Sequence, residues 1–409
     1  MTRNQTQIFG ARAPSLGTYA KSATPPLSGE ARKAVQTVRS QRYELLATAR
    51  HILSCAGRAA GLTYGHDFHK TAKCKFVTRG EGVGVHLAPA HGSAFFSGLI
   101  TCGSVWSCPV CTAKVGERRR SEIAQAIEWA YENDLQPVMV TLTFPHRAWH
   151  VLADLLSQQA DALHRLRAGS PWGRVKTWAG YRGLIRGLEL THGFSNGWHP
   201  HTHELWFVRS GLDAQELRER VLVRWEAACI RAGLLDPDDQ AQVEAFREHA
   251  VDVKGNCSTS DYLAKQDDSR HWGADRELAK STTKQGRVKG LHPFALLAKA
   301  GEGCEKSAAL YVDYSLAMRG KRQLFWSHGL KALVGIDDLT DEALAEQERE
   351  EADELGRLDS EDWATVRQWG ARAAVLDAAE AGGWPAIQTL MEALTRAEIE
   401  RLEALLSSA

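Results

Sequence analysis

The segment from residue 137 to residue 265 alternates between strand-like and helix-like hydrophobic patterns. Its strand candidates are rich in β-branched and aromatic residues and read PVMVTLTF (137–144), RGLIRGLEL (182–190), HTHELWFV (201–208) and AVDVKG (250–255). Its helix candidates cover residues 147–167, residues 213–232 with Asp213 as the N-cap, and a helix that starts near residue 260. The order β-α-β-β-α-β-α predicts an α+β fold with a split βαβ antiparallel sheet of four or five strands and helices on one face.

Composition along the chain predicts four regions. Residues 1–60 form a flexible lead-in followed by a basic helix, and residues 61–134 form a small zinc-binding module followed by a second basic helix. Residues 135–330 hold the predicted sheet. Residues 331–409 form an acidic helical C-terminal tail, in which DEALAEQEREEADELGRL is the clearest helix.

Length and hydropathy restrict the class of protein. The chain has 409 residues, of which 44% are hydrophobic and 24% charged, so it can bury a core and is neither a disordered chain nor a fibre. No stretch reaches the roughly 18 to 20 uncharged apolar residues that a spanning helix needs, and the first residues contain no apolar signal-peptide core. We therefore expect a cytoplasmic protein with no membrane partner.

The formal net charge of zero conceals an uneven distribution. Residues 1–330 contain 43 Lys and Arg against 31 Asp and Glu, whereas residues 331–409 contain 7 against 19. A basic body predicts a polyanionic partner, and an acidic tail predicts a solvated or protein-binding segment. Ordinary variation in charge is the alternative explanation.

The eight cysteines are too few for a disulfide scaffold in a chain of this length, so a cluster among them indicates a metal site. Cys102, Cys108 and Cys111 form C-x5-C-x2-C, and Cys74 lies upstream as a candidate fourth ligand. Four thiolates brought together by the fold would complete a tetrahedral structural zinc site. Unligated thiols are the alternative. Nearby histidines are the other candidates for the fourth ligand: His66, His69, His86 and His91.

A second candidate metal site lies in HPHTH, residues 199–203. Because side chains alternate along a strand, His201 and His203 project from one face and can share a metal ion. The loop at 191–200 is rich in Gly, Asn and Ser and predicts a hairpin that brings Glu189 towards that face. Two imidazoles and one carboxylate are a ligand set for a catalytic divalent cation. Half-buried strand histidines are the simpler interpretation if Glu189 is disregarded.

Tyr262 and Lys265 form the only Y-x-x-K in the chain. Positions i and i+3 lie on one face of a helix, so the ammonium group can sit beside the phenol or beside the phosphate that the phenol attacks. A tyrosine oxygen has a pKa of about 10, so it is a poor nucleophile near neutral pH and needs a metal-polarised electrophile or a base. Attack on a phosphodiester fits this need. An ordinary surface tyrosine is the alternative.

In the order of these motifs the sequence resembles the rolling-circle plasmid replication initiator (Rep) proteins of the HUH endonuclease superfamily. The resemblance covers about residues 74–330 and implies an HUH-endonuclease-like fold for the nicking domain at 135–330. The segments that carry it are VMVTLTFPH (138–146), WHPHTHELWF (198–207), SDYLAK (260–265), CGSVWSCPVC (102–111) and GKRQLFWSHGL (320–330).

The resemblance implies a metal-dependent endonuclease and strand transferase that nicks one strand at a plasmid origin. Tyr262 would become joined to the 5′ phosphate of the DNA, and the freed 3′ hydroxyl would prime synthesis. His201, His203 and Glu189 would hold Mg²⁺ or Mn²⁺, and Lys265 would offset charge at the phosphate.

The implied partners are plasmid origin DNA, both duplex and single-stranded, and host helicase and DNA polymerase. A host helicase is expected because the sequence contains no G-x-x-x-x-G-K-[ST] P-loop. We expect the zinc module and the basic helix with Arg118, Arg119 and Arg120 to bind the duplex part of the origin. Related initiators often carry a glutamate four residues before the tyrosine for the terminating cleavage, whereas this sequence has Ser258 there, so the termination step is left open.

Two alternative functions are weighed against this one. A transposase or mobilisation relaxase of the same superfamily would use the same chemistry on a different DNA, but many of these proteins carry paired tyrosines or a fused helicase. A non-enzymatic zinc-ribbon DNA-binding regulator would account for the cysteines and the basic body. It would not account for the residues that arrive in order along the motifs: Glu189, His201, His203, Tyr262 and Lys265.

Overall fold

A computed structural model of the chain describes residues 30–63, 68–88, 92–257, 290–346 and 352–407. The chain divides into two compact units. Unit 1 consists of Met1–Val115, Leu297–Val312 and Thr340–Ala409, and unit 2 consists of Gly116–Leu296 and Asp313–Leu339. Each unit is assembled from separate stretches of chain, whereas the sequence predicts contiguous regions with boundaries near residues 60, 134 and 330.

The described residues form a mixed α+β fold, as the sequence predicts. The helices are α1 (Glu30–Ala59), α2 (Pro109–Glu132), α3 (Leu152–Leu166), α4 (Gly169–Ala179), α5 (Ala214–Arg231), α6 (Gln240–His249), α7 (Pro293–Gly301), α8 (Glu305–Ala317), α9 (Leu330–Val334), α10 (Asp341–Glu346), α11 (Ser360–Gln368) and α12 (Arg372–Ser407). The strands are β1 (Val83–Ala88), β2 (Ser93–Phe96), β3 (Leu135–Leu142), β4 (Gly183–Gly193), β5 (Gly197–Arg209), β6 (Val251–Lys254), β7 (Leu324–Trp326) and β8 (Asp353–Leu358). Within the described ranges, none of the helices is both long and apolar enough to cross a membrane.

Unit 2 is built on a five-stranded sheet with the strand order β6-β3-β5-β4-β7, in which every neighbouring pair is antiparallel. This confirms the prediction of an antiparallel sheet of four or five strands. The β4–β5 hairpin is longer than predicted, because Thr191 pairs with His199 and Gly193 pairs with Gly197. The loop predicted at 191–200 is therefore mostly strand, and only residues 194–196 form the turn.

One face of this sheet packs against α2. Ile123 and Ile127 of the helix are fully buried in one cluster with Leu205 and Phe207 of β5. These strand residues alternate with residues of the opposite face, so they and the histidines at the start of β5 lie on the same side of the sheet. The helix thus covers the apolar end of the face whose other end carries the predicted metal ligands.

The opposite face is also covered by helices. Trp206 of β5 packs edge-on against Trp172 of α4, with ring centroids 5.5 Å apart. Glu204, which is fully buried, accepts hydrogen bonds from Arg167 at the end of α3 and from Nε1 of Trp206. The prediction of helices on one face is therefore wrong. The physical reason is that residues 205–208 of β5 are buried without interruption, so both faces of the strand need apolar cover.

Unit 1 contains a three-stranded antiparallel sheet with the order β2-β1-β8. Its third strand, DELGRL at 353–358, lies in the segment for which the sequence predicts a helix. In that segment only α10 at 341–346 is helical among the described residues, so the predicted long acidic helix is corrected. Pairing with β1 overrides the helical preference of a Glu- and Leu-rich sequence.

From residue 340 onward, the described part of the acidic C-terminal region contributes to the core of unit 1 and does not form a solvated tail. Trp363 of α11 is 1% exposed, packs edge-on against Phe96 of β2, and donates a hydrogen bond from Nε1 to the carbonyl oxygen of Phe76. Asp377 and Glu380 of α12 both pair with Arg39 of α1. Some of the acidic side chains therefore bind basic partners within unit 1.

We predict that Trp363→Ala lowers the free energy of unfolding of unit 1 by about 3 to 5 kcal/mol, because it removes a large buried side chain and a hydrogen-bond donor. Urea unfolding followed by circular dichroism measures the effect. The matched control is Trp149→Ala, since Trp149 is 76% exposed and its loss should change stability by less than about 0.5 kcal/mol. Equal effects of the two substitutions would contradict the placement of the C-terminal region in the core.

Candidate functional site

Two clusters of potential metal ligands occur among the described residues. Within each cluster, the ligand atoms lie within 4.8 Å of one another. The first, in unit 2, is formed by Glu189, His201 and His203, and the second, in unit 1, is formed by Cys74, Cys102, Cys108 and Cys111.

The hairpin register creates the first cluster. Glu189 of β4 is directly opposite His201 of β5, and directly opposite residues point to the same face of a sheet. Oε2 of Glu189 lies 3.3 Å from Nε2 of His201 and 3.4 Å from Nε2 of His203. The side chain of Glu189 is 25% exposed, and those of His201 and His203 are each 16% exposed. Solvent can therefore reach the position where the three ligand atoms meet.

Hydrogen bonds at the other ring nitrogens orient both imidazoles. Nδ1 of His201 donates to the carbonyl oxygen of His199 at 3.4 Å, and Nδ1 of His203 lies 2.9 Å from the hydroxyl of Thr141 on β3. A carbonyl oxygen can only accept, so the neutral ring of His201 presents a lone pair at Nε2 to the carboxylate. Lone pairs that face one another across about 3 Å need a proton or a cation between them, and this donor set therefore fits a divalent cation.

The carboxylate in this cluster is held in its ionised form. Burial favours the neutral acid, but the hydrogen bonds and charge that His201 and His203 supply when their rings are protonated outweigh burial and lower the pKa of Glu189 well below its usual value. An ionised carboxylate is the form that coordinates a metal ion.

Two histidines that belong to the sequence motifs, but were not assigned there as ligands, extend the cluster: His199 and His146. Nε2 of His199 lies 2.9 Å from the hydroxyl of Thr143, and its ring centroid lies 4.5 Å from that of His146 and 4.9 Å from that of His201. Burial, with smaller contributions from the charges of His201 and His146, lowers the pKa of His199 to about 3, so its ring is neutral at pH 7. Strand alternation places His199 on the same face as His201, so its position beside the cluster could have been predicted from the sequence.

His292 is also close to this site. Its position follows from a β-bridge between the neighbouring Leu291 and His192 of β4. Burial lowers the pKa of His292 to about 4, against an opposing effect of the Glu189 charge. No local pattern around residue 292 predicts this placement, because the bridge joins segments about a hundred residues apart in the sequence.

The cysteine cluster is buried and compact. Sγ of Cys74 lies 3.6 Å from Sγ of both Cys108 and Cys111, and Sγ of Cys102 lies 3.7 Å from Sγ of Cys111. Four sulfurs placed at about 2.3 Å around a zinc ion form a tetrahedron with edges of about 3.8 Å. The spacing of the sulfurs therefore fits a tetrahedral zinc site.

Backbone N–H groups point at these sulfurs. The donors are the amides of Cys102 to Cys74, of Ser104 to Cys102 and of Cys111 to Cys108, each at 3.4 Å from the accepting sulfur. Such donors stabilise thiolates. Burial nevertheless raises the pKa of Cys102 and of Cys108, so a cation among the sulfurs would favour the ionised form of these two thiols.

The structure brings Cys74 to the fourth position of this cluster. The alternative ligand His69 instead accepts a hydrogen bond from the Thr71 amide at the start of the short 3-10 helix Lys70–Lys73. His86 lies 2.7 Å from the hydroxyl of Ser97. The remaining candidates, His66 and His91, lie outside the described residues.

Three further positions predicted from the sequence lie outside the described residues: Tyr262, Lys265 and Ser258. The predicted DNA-binding arginines are described, on α2. Arg118 is exposed, whereas the guanidinium of Arg119 donates to Glu122 and to the carbonyl oxygen of Leu339, both at 2.8 Å. Arg120 is half-buried. Of the three side chains, that of Arg118 is the most open to a phosphate, and DNA contact stays a prediction.

Comparisons with known proteins identify relatives of this chain. The "Protein rep" of Streptomyces lividans is 26% identical over 308 aligned positions, which cover 61% of this chain and 66% of that protein. The "Neomycin resistance protein" of Streptomyces cyanogenus is 29% identical over 185 aligned positions, which cover 35% of this chain and 41% of that protein. The chain thus spans less than two thirds of the length of each of these relatives. No solved structure matches it.

The model of the Replication protein family matches residues 97–373, which is more than half of the chain and includes all the residues of the Glu189, His201 and His203 cluster. The chain therefore belongs to the Replication protein family.

Proposed function

We propose that this protein is a plasmid rolling-circle replication initiator that nicks one DNA strand with a tyrosine nucleophile. The observation that carries the proposal is the convergence of Glu189, His201 and His203 on adjacent antiparallel strands, in a chain that belongs to the Replication protein family. The HUH-endonuclease-like character of the sheet in unit 2 is part of the same proposal, and the strand order with the ligands on its central hairpin supports it.

The first cluster would bind Mg²⁺ or Mn²⁺ through one carboxylate and two imidazoles. A divalent cation held there would polarise a phosphate oxygen and offset negative charge that develops at the phosphorus. Neighbouring groups of the protein hold these ligands in position. Glu189 supplies the only negative charge of the set, and the hydrogen bonds at Nδ1 of His201 and of His203 fix the direction of each Nε2 atom.

Tyr262 is the proposed nucleophile. Its phenolic oxygen would attack the phosphorus and form a phosphotyrosine ester while the bond from phosphorus to the 3′ oxygen breaks. The phenolic proton is lost, and the leaving 3′ oxygen takes up a proton and becomes the hydroxyl that primes synthesis. Lys265, one helical turn away in the predicted helix, would offset charge at the phosphate.

The cysteine cluster would bind one structural Zn²⁺. All four sulfurs are buried, and a tetrahedral ion bound to four cysteines has no open position for a substrate. The ion would therefore stabilise unit 1 and take no part in strand cleavage.

Origin DNA is the proposed substrate, and host helicase and DNA polymerase are the proposed partners. Family membership favours replication over the transposase and relaxase alternatives. Removal of the Tyr262 hydroxyl tests the alternative that the protein is a non-enzymatic DNA-binding regulator.

We predict that Tyr262→Phe abolishes formation of a covalent protein–DNA adduct and leaves DNA binding within about threefold of wild type, because only the attacking oxygen is lost. Single-stranded plasmid DNA from the source of the protein is incubated with and without Mn²⁺, and the adduct is mapped by mass spectrometry. Tyr131→Phe, at a tyrosine on α2, is the matched control and should retain the adduct.

An adduct that persists in Tyr262→Phe would exclude this residue as the nucleophile. If the wild-type protein bound DNA and formed no adduct on any natural substrate, the regulator would become the better explanation.

We predict about one tightly held zinc per chain, lost when Cys108→Ser and Cys111→Ser are combined, because two of the four thiolates disappear. Inductively coupled plasma mass spectrometry of the purified protein measures the metal content. The control combines Cys55→Ser and Cys304→Ser, at positions outside the cluster, and should keep its zinc. Zinc that survives the first pair of substitutions would rule out this site.

We predict that Thr141→Val weakens Mn²⁺ binding by about tenfold or more, because His203 loses the hydrogen bond that orients its ring. The measurement is a titration of Mn²⁺ followed by electron paramagnetic resonance, which does not depend on cleavage. The matched control is Thr202→Val. Thr202 lies between the two histidines but on the opposite face, and its hydroxyl has no hydrogen-bond partner among the described residues. Equal Mn²⁺ affinity in both variants would contradict the positioning role of Thr141.

A further inference from the structure

Trp149 is the most exposed of the large hydrophobic side chains in the described residues, at 76%. It lies in a tight turn in which the amide of His150 donates to the carbonyl oxygen of Arg147 at 3.1 Å. The amide of Arg147 donates in return to Nδ1 of His150 at 3.2 Å. The turn therefore holds an indole ring exposed to solvent, and the groups around it decide which kind of partner it suits.

This turn adjoins the first candidate metal cluster. It follows His146, whose ring centroid lies 4.5 Å from that of His199, which in turn lies 4.9 Å from that of the ligand His201. Trp149 is three residues beyond His146, a stretch that spans at most about 11 Å even when fully extended. The exposed indole is therefore within a few nucleotides' length of the position where the scissile phosphate would bind.

The turn is fixed against the β4–β5 hairpin. A Cβ atom at Gly197 would lie 2.8 Å from Cα of Ala148 and 2.9 Å from the carbonyl oxygen of Arg147. Gly197 also has φ of +77°, which side chains rarely adopt, so the hairpin requires glycine there for both reasons. The backbone of the turn rests on the hairpin, so a ligand of Trp149 would not need to order this backbone when it binds.

The residues around Trp149 suit a nucleic acid. Phe194, in the turn of the same hairpin, is a second exposed aromatic side chain at 48%. Arg147 is exposed, and neither of the two segments 143–151 and 190–200 contains an aspartate or a glutamate. Exposed aromatic rings and a cationic side chain on two adjoining segments, without carboxylates in those segments, can stack on bases and pair with phosphates.

We propose that Trp149, Phe194 and Arg147 form a binding surface for the single-stranded DNA that flanks the scissile phosphate. A base stacks on the indole of Trp149, and the guanidinium of Arg147 contacts the backbone. The inference rests on the proposed nicking function, since it is that function which brings single-stranded DNA to the neighbouring cluster. Stacking on a π-face tolerates any base, so this surface holds the strand and does not select its sequence.

The test measures binding of a fluorescently labelled oligothymidylate by anisotropy, in buffer with EDTA so that neither the divalent cation nor cleavage contributes. Trp149→Ala should weaken binding by about 5- to 100-fold, the range expected for the loss of one base–aromatic stack. Trp149→Phe keeps an aromatic face and should stay within about threefold of wild type. The control Trp178→Ala removes a half-buried indole on α4, which contacts Arg220, and should leave binding unchanged.

Wild-type affinity in Trp149→Ala would overturn the proposal, and the exposed indole would then serve another partner, such as a protein. An equal loss in Trp178→Ala would also overturn it, since the effect would not be specific to this surface. Unfolding in urea checks that both variants are folded. An adduct assay on the wild-type protein is run in parallel. If it yields no adduct while Trp149→Ala still loses binding, the nicking function fails and the binding surface stands.

Discussion

The register of the β4–β5 hairpin is the constraint on which the candidate site depends. Side chains alternate between the faces of a strand, so a slip of one residue would turn Glu189 away from His201 and towards the face covered by α3 and α4. Burial on both faces pins the register, because Ile185 opposite Leu205 packs on one side and Leu184 opposite Trp206 packs on the other. The apolar half of the hairpin thus holds the polar half in position, and the energy of core packing fixes the distance between carboxylate and imidazoles.

Strand alternation and the predicted hairpin together were enough to place the ligands of this cluster on one face. Glu189, His201 and His203 could be grouped from the sequence because they lie on two consecutive strands, whose pairing a hairpin determines locally. The residues that orient and surround these ligands could not be predicted from the sequence. Thr141 reaches His203 only because β3 is the other neighbour of β5, and His292 arrives through a bridge to β4. The order of strands in a sheet and the placement of distant segments depend on tertiary packing, which local periodicity does not encode.

The same limit explains the C-terminal correction. Glu, Leu and Arg favour helices, so DELGRL at 353–358 has a helical composition, yet the segment pairs with β1 about 270 residues earlier in the chain. The helix candidates α1 and α5 were predicted correctly because their apolar spacing and, for α5, the Asp213 cap are local signals. The Asp213 carboxylate accepts a hydrogen bond from the Glu216 amide, as an N-cap residue should. Elements determined by neighbours in sequence were therefore recovered, whereas a strand determined by a distant partner was not.

The charges of the two ligand clusters separate their proposed roles. Four thiolates carry four negative charges, so a bound Zn²⁺ leaves a net charge of about −2, delocalised over sulfur and offset by amide donors, with no position open to a phosphate. The other cluster contains a single carboxylate, and its imidazoles would bind a metal ion in their neutral form. A divalent cation there leaves a net charge of about +1, which attracts a phosphodiester. The orienting groups leave this net charge unchanged, because the Thr141 hydroxyl and the His199 carbonyl are uncharged. A carboxylate in place of Thr141 would also orient His203, but its negative charge would cancel the positive charge that attracts the phosphates of DNA.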